Sequence, residues 1–292
     1  MIKKLSNSSF AAEIQTSGAE LISFKKLDDN CEYIWNGDPK FWGSHSPVLF
    51  PIVCALINGE IKINENTYQI GNHGFAKKSE FELIEESERK AVFKLSYNEA
   101  TLAMYPFKFN LYLIYTLNEN QLTVEYQVEN IDEQTIYFQI GTHPGFNCPL
   151  DDNTDFDDYY LEFKNPENLA RHYMNSANVI IADKTKNLEL KDNRILPLNH
   201  ELFYEGAIVL KNLKSDQVIL KSDKTAKKVV LTYENLPHMG IWQAKNAPFI
   251  CLEPWRGCAD TEGFKGDIKE KEAIIALEKA AKFNCSWMIE IF

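Results

Sequence analysis

Residues that interrupt regular structure are scarce in this sequence. Only 13 of the 292 residues are glycine and 11 are proline, and no low-complexity tract or Pro/Gly/Ser-rich linker divides the chain. Aromatic residues, in contrast, make up 12% of the composition, which favours strands and argues against a disordered chain. We therefore expect a compact fold, and one domain over residues 1–292 is the simplest organisation.

Long apolar stretches and a surplus of positive charge are also absent. The first ten residues contain two lysines but no apolar core of signal-peptide length, and no later stretch approaches about 18 uninterrupted apolar residues. The formal net charge of -11 argues against nucleic acid and anionic membranes as partners, because both require a clustered basic surface. We expect a cytoplasmic protein with a small neutral ligand.

The cysteines show no spacing typical of a zinc site or a redox pair, because the sequence contains no C-x-x-C motif. In a reducing compartment we expect them to be free thiols that pack as small apolar groups. The six positions are Cys31, Cys54, Cys148, Cys251, Cys258 and Cys285.

Alternating apolar and polar residues predict strands through most of the chain. The turn residues 118–120 join two such segments, Phe109–Leu117 and Gln121–Asn130, which predicts an antiparallel hairpin. Only Asp267–Lys282 has a helix-forming composition, and we interpret it as a short helical turn followed by a strand. Many half-buried strands favour an all-β antiparallel sandwich with few short helices. Other segments with this alternation are Lys90–Tyr97, Val218–Lys221, Lys228–Tyr233, Gly240–Gln243 and Phe249–Glu253.

Two of the six histidines have similar surroundings, in Asn72-His73-Gly74-Phe75 and in Thr142-His143-Pro144-Gly145-Phe146. Each follows a strand-like segment, and a glycine just after it permits a sharp turn, which leaves the imidazole at the rim of a sheet beside a cleft. A single histidine is more often structural or solvated, so context must decide between these roles.

The segment Phe249–Gly257 delivers the carboxylate of Glu253 at the end of an apolar strand. Burial at such a position raises the pKa of a glutamate towards the range of a general base, while a structural role in capping backbone amides is equally consistent with the motif. Proline follows both Glu253 and His143, which favours extended backbone at each residue and leaves the isomer of each peptide bond open.

The order of the segments Gly18–Ser23, Asn72–Phe75, Thr142–Phe146 and Leu252–Trp255 resembles the aldose 1-epimerase (galactose mutarotase-like) family. Two further segments, Pro47–Pro51 and Ala247-Pro-Phe, resemble its LacX-like bacterial branch. The match spans nearly the whole chain. Each motif is weak alone, but together and in this order they are specific.

This resemblance implies a large antiparallel β-sandwich of supersandwich type, with a sugar lying in an open cleft across one sheet. It implies an isomerase that interconverts the anomers of a hexose without a cofactor. A glutamate matching Glu253 takes the proton of the anomeric hydroxyl, while a histidine matching His143 protonates the ring oxygen. A histidine matching His73 hydrogen-bonds the ring region. The implied ligand is an aldohexose or its phosphate, bound by a monomer or homodimer.

Aromatic side chains are candidates for contact with the C–H face of the sugar, although an aromatic residue in an all-β protein is more often part of the core. We expect such contact from Trp255 or Phe75, with Trp35 and Trp42 as alternatives.

Two positions depart from the better-known members of the family. These members carry an arginine shortly after the segment matching Leu49–Pro51 and an aspartate near the segment matching Ala207–Leu210. Ala55 and Gly206 stand at these places here. Substrate identity and catalytic competence therefore depend on what replaces the two side chains.

Arg256 and Glu205 are the substitutes that the sequence offers, and Arg256 reaches the cleft if the residues around it form a turn. The departures keep a rival function open, a non-catalytic sugar-binding or sensing protein on the same scaffold. A second rival is a metalloenzyme with His73, His143 and Glu253 as a two-histidine-one-carboxylate set, although the spacings match no short metal-ligand motif.

Overall fold

The computed structural model describes residues 1–292, and strands make up most of its regular structure. The strands of the first half are β1 (Ile2–Ser6), β2 (Phe10–Gln15), β3 (Glu20–Lys26), β4 (Cys31–Glu32), β5 (Val48–Leu49), β6 (Glu60–Ile63), β7 (Asn66–Gln69), β8 (Glu82–Glu86), β9 (Lys90–Ser96), β10 (Phe109–Asn118), β11 (Gln121–Asn130), β12 (Ile136–Phe138), β13 (Ile140–Thr142) and β14 (Gly145–Asn147). Those of the second half are β15 (Tyr159–Phe163), β16 (Ala170–Met174), β17 (Ile180–Asn187), β18 (Ile195–Pro197), β19 (Ile208–Leu210), β20 (Gln217–Ser222), β21 (Lys228–Glu234), β22 (His238–Trp242), β23 (Phe249–Arg256), β24 (Ile275–Leu277) and β25 (Lys282–Ile291).

Helical structure is limited to short segments. The one α-helix is α1 (Glu99–Met104), which begins with a capping box between Asn98 and Thr101. No helix is long and apolar enough to cross a membrane. The 3₁₀ turns are Ile57–Gly59, Ala76–Lys78, Phe156–Asp158, His200–Phe203 and Ile268–Glu270.

Two large antiparallel sheets form the body of the molecule. One has nine strands in the order β18-β15-β20-β21-β25-β11-β10-β9-β8. The other has eight, in the order β17-β16-β19-β22-β23-β13-β5, with β14 paired to β23 beside β13. Smaller sheets comprise β1 to β4, β6 with β7, and β12 with β24. The predicted all-β sandwich is confirmed.

The facing sides of the two large sheets share one core of 65 buried residues. The nine-stranded sheet contributes alternate residues of β10, such as Leu111 and Leu113, while residues between them are partly exposed. The eight-stranded sheet contributes Ile208, Ile241 and Leu252 from β19, β22 and β23. Because strand side chains alternate, the other residues of these three strands point to the outer face of that sheet.

The predicted hairpin is confirmed, since β10 and β11 pair without a register shift from Phe109↔Asn130 to Asn118↔Gln121. The other predicted strands correspond to β9, β20, β21, β22 and β23, with ends that differ by a few residues. The segment Asp267–Lys282 forms a 3₁₀ turn followed by β24, as expected. All six cysteines are free thiols, and only Cys31 is not fully buried.

Candidate active site

A cavity of about 470 Å³ lies on the outer face of the eight-stranded sheet. Both predicted histidines, His73 and His143, line it together with Glu253 and Trp255. The volume is in the range typical of small-molecule sites. The fold therefore brings four of the predicted site residues to one space.

Glu253 faces the cavity because β23 is extended and alternates between two faces. Ile250 and Leu252 belong to the core between the sheets. Cys251 and Trp255 belong to small apolar clusters on the opposite side. Glu253 lies two residues from both Cys251 and Trp255, so its side chain points to the same face of the sheet as theirs. Because β23 is an interior strand, Glu253 is only 2% exposed.

His143 lies directly opposite Glu253 in the sheet. On either side of His143, β13 and β14 pair with β23 in one register, through Gly141 and Gly145. Opposed residues of antiparallel strands point to the same face, so the two side chains meet. Pro144 has no N–H to donate, and the ladder is interrupted there. The cis peptide bonds of the chain precede Pro51 and Pro149, so those after His143 and Glu253 are trans.

The two side chains form a buried pair, with His143 Nε2 3.2 Å from Glu253 Oε2. Burial lowers the pKa of His143 to about 3 and raises the pKa of Glu253 well above its ordinary value, because each charged form loses hydration. His143 Nδ1 is buried without a hydrogen-bond partner in the protein, so the N–H that Nδ1 carries when Nε2 accepts from Glu253 has no protein acceptor. Both shifts favour a neutral imidazole beside a protonated carboxyl, an arrangement in which the pair holds one transferable proton and has no net charge.

Hydrogen bonds to the backbone fix the orientation and tautomer of His73. The backbone N–H of Cys54 donates to His73 Nδ1 over 3.0 Å, and the backbone N–H of His73 donates to the Cys54 carbonyl over 2.9 Å. Burial and, to a smaller extent, nearby basic groups lower the pKa of His73 well below its ordinary value. The ring is therefore neutral with its proton on Nε2. It offers a donor beside His143, with ring centroids 5.5 Å apart.

The turn at His73 requires glycine at the next position. The φ angles are +62° at His73 and +71° at Gly74, and a Cβ at residue 74 would lie 2.1 Å from the Phe50 carbonyl oxygen. Glycine meets both demands. The chain then directs Phe75 into the core against Phe50 and Phe109. Phe75 is therefore a core residue and does not line the cavity, in contrast to its expected contact with a sugar.

Two tryptophans form a wall beside the acid–base pair. The Trp42 ring lies 4.9 Å from that of His143 between centroids, tilted by 31°, and Trp242 approaches His143 edge-on at 5.8 Å. Both are partly exposed and line the cavity. Trp35 is buried in the cluster that packs against them. Of the two alternatives from the sequence, Trp42 is on the wall and Trp35 supports it.

Trp255 occupies space left by two glycines on the neighbouring strands. A Cβ at Gly240 would lie 2.3 Å from the indole ring, and a Cβ at Gly141 would lie 2.6 Å from it. The missing side chains let the indole lie flat across both strands beside Glu253. Trp255 Nε1 is buried without a protein partner, so the protein leaves this N–H donor unused.

Arg256 points to the opposite face of β23, away from the cavity. The strand continues through residue 256 because it stays paired with β13 at Ile140. Arg256 Nε donates to the Asn235 carbonyl over 3.0 Å, and the guanidinium lies 5.9 Å from the Phe283 ring centroid in the other large sheet. The expected turn around residue 256 is wrong, and Arg256 does not supply the missing family arginine.

The two departures from the family pattern differ in their surroundings. Ala55 is buried, with 7% exposure, next to the cavity residue Cys54. Gly206 is exposed at a φ of +87°, and a Cβ there would meet nothing within 4 Å. Glu205 is exposed and does not line the cavity. The cations that do line it are Lys77 and Lys78.

One group of side chains in this region has donor atoms close enough to share a metal ion. The donor atoms of His143, Cys251 and Glu253 lie within 4.8 Å of one another. This group differs from the expected one, because His73 uses Nδ1 to hold the backbone and Cys251 is the third member. Burial raises the pKa of the Cys251 thiol well above its ordinary value, which opposes the thiolate form that binds metals.

Sequence reasoning missed Trp242, Lys77 and Lys78. A signal for Trp242 was present, because it lies two residues after Gly240 in a predicted strand and so shares its face. The lysines carried no such signal. Their place on the wall depends on the 3₁₀ turn Ala76–Lys78 and on its packing against distant strands.

Comparison with known proteins gives a consistent result over the whole chain. The sequence model of the family described as aldose 1-epimerase matches residues 2–275. The chain is 35% identical over 279 residues to Protein LacX of Lactococcus lactis subsp. lactis, in both its plasmid and chromosomal forms, with 92% of each protein covered.

Solved structures agree with this match. A galactose mutarotase related enzyme from Lactobacillus acidophilus is 30% identical with a TM-score of 0.94, over 100% of this chain and 97% of that one. A galactose mutarotase-like protein from Lactobacillus casei ATCC 334 has the same identity and TM-score, with both chains covered completely. A putative aldose 1-epimerase from Escherichia coli K12, at 15% identity and a TM-score of 0.78 over 100% and 99% of the chains, shares the fold.

Proposed function

The chain belongs to the aldose 1-epimerase family, and we propose that it interconverts the α and β anomers of a hexose by acid–base-catalysed opening and closing of the ring. The main support for this proposal is the buried pair of His143 and Glu253, 3.2 Å apart on the wall of a ligand-sized cavity. A proton donor and a proton acceptor at this spacing can act on the ring oxygen and on the anomeric hydroxyl of one sugar.

In the proposed reaction Glu253 is the base and His143 is the acid. Glu253 accepts the proton of the hydroxyl on C1 while His143 donates a proton to the ring oxygen, and the bond between C1 and the ring oxygen breaks. The product is the open-chain aldehyde. Rotation about the C1–C2 bond exposes the other face of the carbonyl, and the reverse transfers close the ring as the other anomer. Each proton transfer contributes about 10²- to 10⁴-fold.

The single proton shared by the pair matches the needs of this cycle. Burial favours a neutral imidazole and a protonated carboxyl, and the proton can move from Glu253 Oε2 to His143 Nε2 along their 3.2 Å contact. This transfer gives the carboxylate and imidazolium that ring opening needs. The sugar gains one proton at the ring oxygen and loses one from the hydroxyl on C1. The total charge of the sugar and the pair therefore does not change.

The neighbouring side chains support binding rather than proton transfer. His73 presents its Nε2–H to the cavity in a fixed orientation, which suits a hydrogen bond to an oxygen near the ring. Trp42 and Trp242 present flat apolar surface to the C–H face of a sugar. Trp255 adds apolar surface beside Glu253, while its indole N–H stays buried. These contacts hold the sugar against the pair and exclude water from it.

The alternative is a protein that binds a sugar without converting it. The absence of a side chain at Gly206 and the small side chain at Ala55 favour this alternative, because better-known members of the family carry an aspartate and an arginine near the matching positions. Calorimetric binding of a sugar without faster anomer exchange would support it.

The deciding experiment is polarimetry with freshly dissolved α-glucose and α-galactose. We expect the purified protein to accelerate mutarotation, and we expect Glu253→Gln and His143→Ala each to slow it by at least about 10²-fold, while each variant still unfolds in one cooperative thermal transition. Glu88→Gln is a matched control on an exposed site. Full activity in both cavity variants would overturn the assignment of the pair.

A further inference from the structure

The acid–base pair has a third neighbour whose side chain can bind a metal ion. Cys251 lies two residues before Glu253 on β23, so both side chains point to the outer face of the eight-stranded sheet. Cys251 Sγ, a ring nitrogen of His143 and a carboxylate oxygen of Glu253 lie within 4.8 Å of one another, and all three residues are buried. No other histidine, cysteine, aspartate or glutamate side chains of the chain form such a group. This is therefore the one place in the molecule where three of these side chains can share a metal ion.

The spacing of the three donor atoms is close to that of ligands on one zinc ion. Zinc binds imidazole nitrogen and carboxylate oxygen at about 2.0–2.2 Å and thiolate sulfur at about 2.3 Å. At the tetrahedral angle, two such ligands are about 3.3–3.6 Å apart. His143 Nε2 and Glu253 Oε2 are 3.2 Å apart, and no pair of donors in the group is farther apart than 4.8 Å. Side-chain shifts of about 1 Å therefore bring all three donors onto one ion.

A zinc ion with these three ligands has no net charge. One thiolate and one carboxylate cancel the two charges of the ion, and the imidazole binds in its neutral form. The ion displaces two protons to solvent, one from the Cys251 thiol and the one that the pair holds, so the total charge of the site stays at zero. This balance suits a site that is buried, where an unpaired charge loses its hydration. Burial raises the pKa of the Cys251 thiol, but a bound cation replaces its proton outright.

The donor types select zinc over the hard divalent cations, and the cavity gives the ion a way in. Mg²⁺ and Ca²⁺ take oxygen ligands, whereas thiolate and imidazole together suit zinc. His143 and Glu253 line the cavity, so three protein ligands leave the fourth position of the ion open on that side. Cys251 lies behind the wall, in the apolar cluster with Trp35 and Phe249, and does not line the cavity. Its sulfur is therefore a ligand for a metal that enters from the cavity, but has no contact with a sugar there.

We propose that His143, Cys251 and Glu253 form a zinc site and that zinc bound there inhibits anomer exchange. Inhibition follows because the metal takes the lone pairs of the imidazole and the carboxylate, which then neither accept nor donate a proton. The inhibitory role rests on the proposed function, whereas zinc binding does not. The proposal differs from a metalloenzyme, because the ion opposes the reaction.

Titration of zinc into the reduced, metal-free protein tests the inhibition. Polarimetry measures the rate of anomer exchange, and calorimetry measures the zinc bound at each step. We expect the rate to fall in proportion to the occupancy of one site per chain and to return when EDTA removes the metal. Mg²⁺ should leave the rate unchanged, because it does not bind thiolate. Full activity with one zinc ion bound per chain would overturn the proposal, as would equal inhibition by Mg²⁺.

Cys251→Ala and Cys251→Ser test the sulfur ligand, each compared with its own rate in EDTA. Both should raise the half-inhibiting zinc concentration by at least about 100-fold, since even changes beside a metal ligand cost about 10- to 100-fold in affinity. Cys285→Ala is the matched control, because Cys285 is also a buried thiol but lies on β25 of the nine-stranded sheet. It should be inhibited like the parent. Inhibition of both Cys251 variants at the parent's zinc concentration would refute the site, and circular dichroism melting checks that each variant is folded.

Cobalt spectroscopy separates the metal site from the proposed function. Co²⁺ occupies tetrahedral zinc sites, and a bond from cobalt to a thiolate gives a strong charge-transfer band in the near ultraviolet. With one equivalent of Co²⁺ we expect this band in the parent and in Cys285→Ala, and its loss in Cys251→Ala. This result supports the site even if no sugar is converted. Bound cobalt without the band would overturn the proposal even if mutarotation is fast.

Discussion

The stability of Glu253→Gln relative to the parent should increase as the pH rises. The carboxyl of Glu253 is 2% exposed, and burial raises its pKa well above the ordinary 4.5. Above pH 4.5 the unfolded chain releases this proton while the folded chain keeps it. The folded state then binds more protons, so the free energy of unfolding of the parent falls as the pH rises, until the pH exceeds the raised pKa.

The size of this effect follows from one proton. A full difference of one bound proton corresponds to about 1.4 kcal/mol per pH unit. Between pH 5.5 and 7.5 the stability of Glu253→Gln relative to the parent should therefore rise by up to about 2.7 kcal/mol. The neutral amide has no proton to lose, and the other titrating groups, His143 included, are present in both proteins.

Urea unfolding at pH 5.5, 6.5 and 7.5 measures this difference. Tryptophan fluorescence and far-UV circular dichroism must give coincident transitions for the comparison to hold. Glu88→Gln is the control, because Glu88 is exposed and its substitution should follow the parent at every pH. If the free energy of unfolding of Glu253→Gln changes with pH in the same way as that of the parent, then Glu253 is ionised in the folded protein. The shared-proton description of the pair would then be wrong.

Three further predictions concern space, orientation and metal. Gly240→Ala should lower the melting temperature and the anomer exchange rate, because its Cβ would lie 2.3 Å from the Trp255 ring and such overpacking costs about 1 to 3 kcal/mol; Gly71→Ala, where a Cβ meets nothing within 4 Å, should melt like the parent. Arg256→Ala should leave the KM for every sugar within about twofold of the parent value, because the side chain contacts Phe283 on the core side of β23. A tenfold rise in KM would indicate instead that Arg256 contacts the sugar. Exhaustive chelation should leave mutarotation intact because proton transfer needs no metal, whereas loss that added zinc or iron reverses would point to a metal at the acid–base pair.

The strands could be predicted where one face of the sheet is partly exposed. In β10 buried and exposed or partly exposed residues alternate along all ten positions, so the period of two is visible in the sequence. The polar turn at residues 118–120 then fixed the register of the hairpin with β11. These are local signals, and they do not depend on the rest of the fold.

The meeting of His143 with Glu253 could not be predicted from such local signals. It depends on β13 and β14 pairing with β23 from a distance of about 110 residues along the chain, in a register that the Pro144 interruption does not shift. No periodicity encodes a pairing of this range. The family resemblance supplied the expectation for both residues, and the register gives its physical reason.

The error at Arg256 has a specific cause. Proline in a central strand is uncommon, so Pro254 and Gly257 suggested a turn. In the fold, however, Pro254 lies opposite the interruption between β13 and β14, where a missing N–H disrupts little of the ladder. β23 stays extended through Arg256, and the alternation of side chains along the strand places Arg256 on the core side. Local turn signals were outweighed by pairing with β22 and β13.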